Sequence, residues 1–411
     1  MDRIILHCDC NSFYASVETL LDPTLADGPS AVCGDPDSRH GIILAKNEKA
    51  KAFGVQTAET IWQARRKCPE LRLVAPHRSE YVKYSRRCNE LYLKYTDLVD
   101  PFGIDESFLD VTGTAHLFGT GEQIADELRR RMRDEVGLTI SVGVSFNRAF
   151  AKLGSDYKKP DATTVFSRAN YRERVWPLPV SALLYAGRHA TDKLARRGVH
   201  TIGDLAACDP GFIHNLLGKA GDQLLRYSRG EDDEPVRSFY AVREVKSVGN
   251  SMTFAHDLRG EQEYRMGITA LCDNIGRRLR ARGLVCQTVQ LTVRDPEFRN
   301  HSRQITLKNP TNATRTLIET AMLLLRAVWP EDKPVRLLSV TAASLLPEEQ
   351  ACEQLSLFEA PDVSSRRKKL DRTVDTLRQR FGEQSVVFGH SVQKIEEKTE
   401  KAENNSMKNE N

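Results

Sequence analysis

The sequence predicts an α+β protein of several domains. Its 411 residues are enough for about two to four domains. Strands and helices alternate in the first part, helices alone fill a short middle part, and the last folded part has the order β-α-β-β-α-β. The chain has 40% hydrophobic and 28% charged residues, an ordinary soluble composition, and its apolar runs fall short of a membrane span.

The first part, residues 1–166, combines apolar β-branched runs with amphipathic stretches. Residues 18–77 are predicted to form a small insert within it. The predicted elements are strands at 3–8, 104–111 and 138–145 and helices at 78–96 and 119–136.

The middle part, residues 167–232, is predicted to be compact and all-helical. In "GVHTIGDL", Thr201 is a helix N-cap and Asp204 is the third residue of that helix. Two helices joined in this way can offer backbone N–H groups to phosphates, as in a helix-hairpin-helix grip on DNA. A plain helical bundle is the alternative.

A charged linker leads to the last folded part, in which Val289, Leu291 and Val293 alternate with polar residues. This alternation predicts a sheet with one face under helices and one polar, partly basic face. From Arg243 to Arg336 the chain has 16 Lys and Arg against 10 Asp and Glu. The arginine-rich stretch "GRRLRARG", 276–283, is either a solvated helix face or a surface that follows phosphates.

From about residue 347 the sequence loses periodicity and reads as disordered. One apolar island, "QLSLF" at 354–358, interrupts this polar tail. The nine cysteines include no CxxC pair, so we expect reduced thiols, as in the cytosol. The N-terminus carries no signal-peptide pattern.

Three acids stand at the ends of two predicted strands. Asp105 and Glu106 lie side by side in "FGIDESFLDV", and Asp9 follows the run Ile4-Ile5-Leu6. Charged groups are costly to desolvate unless they are paired or bind a cation. Three such carboxylates can hold two Mg²⁺ ions about 3.5–4 Å apart, the arrangement that serves phosphoryl transfer.

Four stretches in order carry a family resemblance: "HCDCNSFYASVE", "GIDESFLDVTG", "SVGVSFNRAFAKLGSDYKKPDA" and "KSVGNSMTF". Together they resemble the Y-family of translesion DNA polymerases, over nearly the whole chain to about residue 358. The resemblance implies a right-hand polymerase with a little finger domain. Its implied parts are the palm at 1–17 and 78–166, fingers at 18–77, a helical thumb with a helix-hairpin-helix at 167–232, a linker at 233–242, the little finger at 243–346 and a flexible tail at 347–411.

The resemblance also implies which residues act in catalysis. Asp9, Asp105 and Glu106 match the catalytic carboxylates, with the Cys10 carbonyl as a further metal ligand. Asp9 and Asp105 would bridge two Mg²⁺ ions, and Glu106 would hold the ion that activates the primer 3′-hydroxyl.

Further residues match the nucleotide site of the family. Tyr14 matches the steric gate, a ring that excludes the ribose 2′-hydroxyl. Lys159 matches a lysine that contacts the triphosphate, and Lys51 stands where an arginine is usual. The backbone N–H groups of Phe13 and Tyr14 should also reach phosphate oxygens.

The tail peptide resembles a docking motif for the bacterial sliding clamp. The resemblance implies primer-template DNA, dNTPs and this clamp as partners of a monomeric, cytoplasmic, nucleoid-associated enzyme without proofreading. The motif residues are Gln354, Leu355, Leu357 and Phe358.

Five positions depart from the family pattern. Glu48 replaces a common tyrosine, Ala45 a threonine and Gly103 a serine. Asn11 stands where some members have aspartate, and Tyr185 replaces the first glycine of the usual thumb hairpin. We expect Glu48 to pair with Lys46 or Lys51, because a free acid would repel a triphosphate. Three alternatives stay open: a damage-induced mutasome-type polymerase of the same family, a catalytically dead DNA-binding paralogue, and a two-metal cyclase that shares the palm.

Overall fold

The computed structural model describes residues 2–35, 41–330, 332–351 and 362–387. The chain divides into two compact units, Met1–Val242 and Arg243–Asn411. The peptide predicted to dock on a clamp, residues 354–358, lies outside the described residues.

The first unit contains eight strands and twelve α-helices within its described residues. The strands are β1 (Ile5–Cys10), β2 (Ser30–Cys33), β3 (Ile43–Lys46), β4 (Arg72–Val74), β5 (Val99–Pro101), β6 (Glu106–Asp110), β7 (Ile140–Ser145) and β8 (Thr163–Phe166). The helices are α1 (Phe13–Leu21), α2 (Glu48–Ala52), α3 (Ile61–Lys67), α4 (Arg78–Tyr92), α5 (Ala115–Phe118), α6 (Gly121–Arg131), α7 (Arg148–Tyr157), α8 (Tyr171–Arg174), α9 (Arg188–Ala195), α10 (Ile202–Ala207), α11 (Pro210–Leu217) and α12 (Lys219–Ser228).

A five-stranded sheet with the order β5-β6-β1-β7-β8 forms the centre of this unit. Its central strand, β1, alternates between two faces, because successive strand residues point to opposite sides. Leu6 and Cys8 are fully buried in a core with residues of α4 and α6. His7 and Asp9 point the other way and contact side chains of α7. The face of the sheet that carries Asp9 is therefore the face that α7 covers.

Helix α7 lies unusually close to strand β7, and Gly143 makes this possible. A Cβ on Gly143 would lie 1.9 Å from the Ala151 carbonyl oxygen and 2.5 Å from the Ser155 nitrogen. Real Cβ atoms do not come this close to backbone atoms, so a side chain at residue 143 would displace α7. This close packing places the polar side chains of α7 beside Asp9.

Two smaller parts complete the first unit. Strands β2, β3 and β4 form a sheet with the order β3-β2-β4, whose core includes residues of α2 and α3. Helices α9 to α12 share an apolar core with residues of α7 and β8. Thr201 caps α10 and its side chain accepts from the Asp204 N–H at 3.0 Å, as the sequence predicted.

The second unit confirms the predicted β-α-β-β-α-β order. Its sheet has the order β11-β10-β12-β9, and α13 and α14 share one apolar core with it. In that core Val289, Leu291 and Val293 are fully buried, as their alternation predicted. The elements are β9 (Ser247–Leu258), α13 (Gly260–Arg280), β10 (Leu284–Arg294), β11 (Asn300–Thr311), α14 (Thr314–Val328) and β12 (Val335–Pro347).

The face of this sheet opposite the helices is polar and partly basic along β10, as predicted. On β10 it presents Gln290, Thr292 and Arg294, and their partners on β12 include Thr341 and Ser339. On these two strands the face therefore carries hydroxyl and amide groups, with Arg294 opposite Leu337 at one end.

The expectation of a flexible tail throughout 347–411 is wrong for residues 362–381, which form helix α15 (Asp362–Phe381). Buried Arg280 binds Asp375 at 2.6 Å and Asp371 at 3.2 Å, and Arg378 binds Asp273 at 2.7 Å. Ion pairs with α13 thus hold this highly charged helix.

These contacts also change the interpretation of the arginine-rich stretch at 276–283. Arg280 is almost fully buried between acids of α15, and Arg277 pairs with Glu383. Arg278 donates to the Gly249 carbonyl at 2.8 Å. Three of its arginines therefore bind groups of the same unit, which neither the solvated-face nor the phosphate-following interpretation anticipated.

Candidate active site

Strand pairing brings the three predicted carboxylates together. Asp9 lies opposite Glu106 in the antiparallel register of β1 and β6. The Cys10 N–H donates to the Asp105 carbonyl at 2.9 Å, which fixes the turn that precedes β6. Asp9, Cys10, Asp105 and Glu106 line one open cleft together with Lys159.

Two lysines neutralise part of this acidic cluster. Lys159, which was predicted to contact the triphosphate, places its Nζ 2.8 Å from Asp9 Oδ1. Lys152 Nζ lies between Asp9 Oδ2 at 3.0 Å and Glu106 Oε2 at 2.9 Å. Both ammonium groups also contact Asp156, at 3.2 and 2.8 Å. Sequence reasoning missed Lys152, whose only signal was its place on α7 one turn before Ser155 and Asp156.

The carboxylates differ strongly in their proton affinity. Burial, reinforced by repulsion from Asp9 and Glu106, raises the pKa of Asp105 to about 6. Burial alone would also raise the pKa of Glu106, but the contact with His7 and the charge of Lys152 outweigh it and lower that pKa to about 2. The cluster thus has an excess of negative charge, centred on Asp105, that a cation would relieve.

His7 is a further group that the sequence did not single out. It is fully buried, and its Nδ1 lies 2.8 Å from Ser155 Oγ. Its Nε2 lies 3.3 Å from Glu106 Oε2 and makes no hydrogen bond of good geometry. Burial lowers the pKa of His7. A histidine within an apolar strand usually belongs to the core, so the sequence gave no reason to select it.

The donor set fits a divalent cation. Ligand atoms of His7, Asp9 and Glu106 lie within 4.8 Å of one another, and Asp105 adds a carboxylate in the same cleft. Carboxylate oxygens are the ligands that Mg²⁺ prefers. Gly103 leaves room for them, because a Cβ there would lie 3.0 Å from Glu106 Cγ and 3.3 Å from Asp105 Oδ1.

We expect Asp105→Asn to stabilise the metal-free protein at pH 7.5. The folded-state pKa of about 6 exceeds the ordinary value of 3.8, so ionisation of Asp105 opposes folding increasingly as pH rises from about 4 to about 6. The gain in the free energy of unfolding should be about 1–2 kcal/mol after solvent screening is allowed for. Urea unfolding in EDTA measures it. The gain should shrink at pH 4.5, and an equal gain at both pH values would contradict this electrostatic cause.

Tyr14 and Phe13 line the same cleft as the carboxylates. They are the first residues of α1, which begins just after β1 ends at Cys10. The strand-turn-helix connection therefore puts the predicted sugar-contacting ring and the free N–H groups of a helix start beside Asp9.

An ion pair within α2 accounts for the charge of Glu48. Glu48 Oε2 pairs with Lys51 Nζ at 3.2 Å, as one of the two expected pairings, and Ser12 Oγ lies 3.4 Å from its other oxygen. Lys51 is thus engaged on an exposed surface, whereas Lys46 lines the cleft and donates to Thr57 Oγ1 at 3.1 Å. Burial, with repulsion from Lys51, lowers the pKa of Lys46.

Comparison with known proteins defines the class. A model of the impB/mucB/samB family matches residues 8–156, and a model of its C-terminal domain matches residues 245–357. The chain therefore belongs to the impB/mucB/samB family of Y-family polymerases, as its motifs predicted.

Individual relatives agree with this assignment. DNA polymerase IV of Acetivibrio thermocellus is 44% identical over 96% of this chain and 98% of its own length. DNA polymerase IV 1 of Bacillus subtilis is 35% identical over 97% of this chain and 95% of its own length. In fold, the chain resembles a Y-family DNA polymerase chimera, Dbh-Dpo4(243-245)-Dbh, with a TM-score of 0.75 and 21% identity over 84% of this chain and 99% of the other. Among the helices that the structure describes, none is long and apolar enough to cross a bilayer.

Proposed function

We propose that the chain is a translesion DNA-directed DNA polymerase that adds dNTPs to a primer 3′ end by two-metal-ion phosphoryl transfer. The observation that carries this proposal is the cleft in which Asp9, Asp105 and Glu106 meet beside Tyr14. The family and the relatives named DNA polymerase IV support it.

Each residue of the cleft has a part in this proposal. Two Mg²⁺ ions, when bound, would lower the pKa of the primer 3′-hydroxyl and stabilise charge on the attacking and leaving oxygens. Asp9, Asp105, Glu106 and the Cys10 carbonyl would hold these ions, with Glu106 serving the activation of the primer 3′-hydroxyl. A general base on a side chain is then not required.

The nucleotide is held by charge and by shape. Lys159 supplies positive charge to the triphosphate, and the first N–H groups of α1, at Phe13 and Tyr14, donate to phosphate oxygens. Lys46 supports this site from the cleft wall, a part that the sequence interpretation gave to Lys51. Tyr14 excludes the ribose 2′-hydroxyl.

The proposed partners are primer-template DNA, dNTPs and a bacterial sliding clamp, with the enzyme acting as a cytoplasmic, nucleoid-associated monomer. The domain assignment also remains part of the proposal, with α15 as an added helix beside the little finger. Glu48 faces Lys51 in this arrangement, so it would not repel the triphosphate.

Primer extension with purified protein and Mg²⁺ across a panel of damaged templates tests the proposed function. Template-directed extension past at least one lesion that blocks a replicative polymerase is expected. DNA binding without nucleotide addition would favour the accessory-paralogue alternative, and the lesion preference separates the mutasome-type alternative.

We expect Tyr14→Ala to admit ribonucleotides. The ring lines the cleft beside the carboxylates proposed to bind metal. Its removal should lower the preference for dNTP over rNTP by at least about tenfold, which is the lower end of the substrate discrimination that the shape of a pocket provides. Single-nucleotide insertion of matched dNTP and rNTP measures the preference. If the ratio stays at the wild-type value, the gate is another residue, and Phe13 is the next to test.

We expect the double variant Leu357→Ala, Phe358→Ala to lose stimulation by a loaded bacterial clamp. The clamp would otherwise retain the enzyme near the primer end, because tethering raises effective concentration toward the millimolar range. Product length with and without clamp measures this effect. Synthesis on naked primer-template should equal that of wild type. Undiminished stimulation would rule out this docking site, and a defect without clamp would make the peptide structural.

A further inference from the structure

The ring of Tyr14 rests on a second tyrosine. Its centroid lies 4.2 Å from that of Tyr81, and the two ring planes differ by 14°, so the rings are stacked. Tyr81 lies in the first turn of α4 and is 1% exposed. The ring centroid of Phe13 lies 5.7 Å from that of Tyr14 and 6.3 Å from that of Tyr81. The position of the Tyr14 ring in the cleft therefore depends on where the Tyr81 ring is held.

A buried carboxylate holds Tyr81. Glu18 is 2% exposed and lies one helical turn after Tyr14 on α1. The Tyr81 hydroxyl donates to Glu18 Oε1, which also accepts from the His77 backbone N–H at 3.1 Å. His77 Nδ1 lies 2.9 Å from Glu18 Oε2.

This arrangement links two helices through one residue. A carboxylate is costly to bury unless its oxygens have partners, and those of Glu18 have three on His77 and Tyr81 at the start of α4. Glu18 therefore fixes α1, which carries Tyr14, relative to Tyr81, on which the Tyr14 ring stacks. Its position outside the cleft separates it from the groups that contact metal or nucleotide.

We propose that Glu18 is a positioning residue for sugar selection, acting through Tyr81 on Tyr14. A steric gate discriminates only if its ring cannot move away when a 2′-hydroxyl enters, and the stack on an anchored Tyr81 restrains that movement. The proposal rests on the proposed gate function of Tyr14. If Glu18 merely joined α1 to α4, its loss would lower stability and leave sugar preference unchanged.

Four variants test the chain of contacts. Glu18→Ala removes the anchor, and Tyr81→Phe keeps the stacking ring but removes its hydroxyl. Glu18→Gln keeps an acceptor oxygen for Tyr81 and serves as the conservative rescue. Tyr95→Phe is the matched control, because it also removes the hydroxyl of a buried tyrosine. That hydroxyl accepts a hydrogen bond from Arg131 at 3.0 Å and takes no part in the contacts of Tyr14.

The measurement is kcat/KM for single-nucleotide insertion of a matched dNTP and rNTP. We expect Glu18→Ala and Tyr81→Phe to lower the dNTP preference by about tenfold, the scale of discrimination by pocket fit, mainly through faster rNTP insertion. Glu18→Gln should stay close to wild type, and Tyr95→Phe should not change the ratio. Thermal unfolding of each variant checks that the ratio is measured on folded protein.

A double variant separates this proposal from the gate itself. In a Tyr14→Ala background, Glu18→Ala should not lower the dNTP preference further, because the effects of substitutions at interacting residues do not add. An unchanged ratio in Tyr14→Ala alone would refute the gate. The other outcome is that Tyr14→Ala lowers the dNTP preference, whereas folded Glu18→Ala and Tyr81→Phe keep the wild-type preference. That result would overturn the positioning of Tyr14 by Glu18 and would leave the gate function of Tyr14 intact.

Discussion

Asp105→Ala and Glu106→Ala should each abolish nucleotide addition while DNA binding stays nearly unchanged. Both acids lie where β1 and β6 meet, in the cleft that also contains Asp9. Metal ions contribute several kcal/mol to phosphoryl transfer, so the rate should fall by about a thousandfold or more. DNA affinity comes mainly from Lys and Arg on phosphates, and these variants leave those residues in place.

Single-turnover extension and a DNA-binding titration on the same preparations measure the two effects. Asp134→Ala is the control, because Asp134 is an exposed acid of the same unit whose nearest basic partner, Arg130, is 3.8 Å away. Near-normal extension by Asp105→Ala or Glu106→Ala would refute the assignment of the catalytic site. An equal loss in the Asp134→Ala control would point to charge in general and not to the cleft.

Gly143→Ala should destabilise the first unit strongly and reduce activity with it. The added Cβ would lie 1.9 Å from the Ala151 carbonyl oxygen, and backbone cannot rotate away as a side chain can. Helix α7 would have to move from β7, and it carries Lys152 and its contacts with Asp9 and Glu106. We expect a loss of about 3 kcal/mol or more in the free energy of unfolding.

Thermal unfolding tests this expectation, with a drop in Tm of roughly 6–12 °C for a unit of this size. Gly28→Ala is the matched control, because a Cβ at that glycine meets nothing within 4 Å. Its stability should stay within about 0.5 kcal/mol of wild type. Wild-type stability of Gly143→Ala would show that α7 tolerates displacement from the sheet.

Local patterns were enough to predict most of the fold and the acidic centre of the site. The period-two alternation around Val289 to Val293 marked a sheet with one buried face, which the structure confirms. Asp9, Asp105 and Glu106 were predicted from strand-end acids and motif spacing. Each of these features is visible within about ten residues of sequence, which is why sequence alone was enough.

Apart from the meeting of Asp9 with Asp105 and Glu106, contacts between distant segments were not predicted. Lys152 lies 143 residues from Asp9 in sequence, and the packing of α7 against the sheet brings the two together. His7 looked like an ordinary core residue. Helix α15 is rich in charged residues and has little apolar pattern, so its stability comes from tertiary pairs such as Arg280 with Asp375, which the sequence does not reveal.

The central claim is that Asp9, Asp105 and Glu106 hold two divalent cations, and counting bound ions tests it most directly. Electron paramagnetic resonance with Mn²⁺, on the protein bound to primer-template and a non-hydrolysable dNTP, gives the number per chain. The proposal predicts two ions for wild type and fewer than two for Glu106→Ala, which keeps both bridging acids. Two ions in both proteins, or none in wild type, would contradict the assignment of Asp9, Asp105 and Glu106 as the metal ligands.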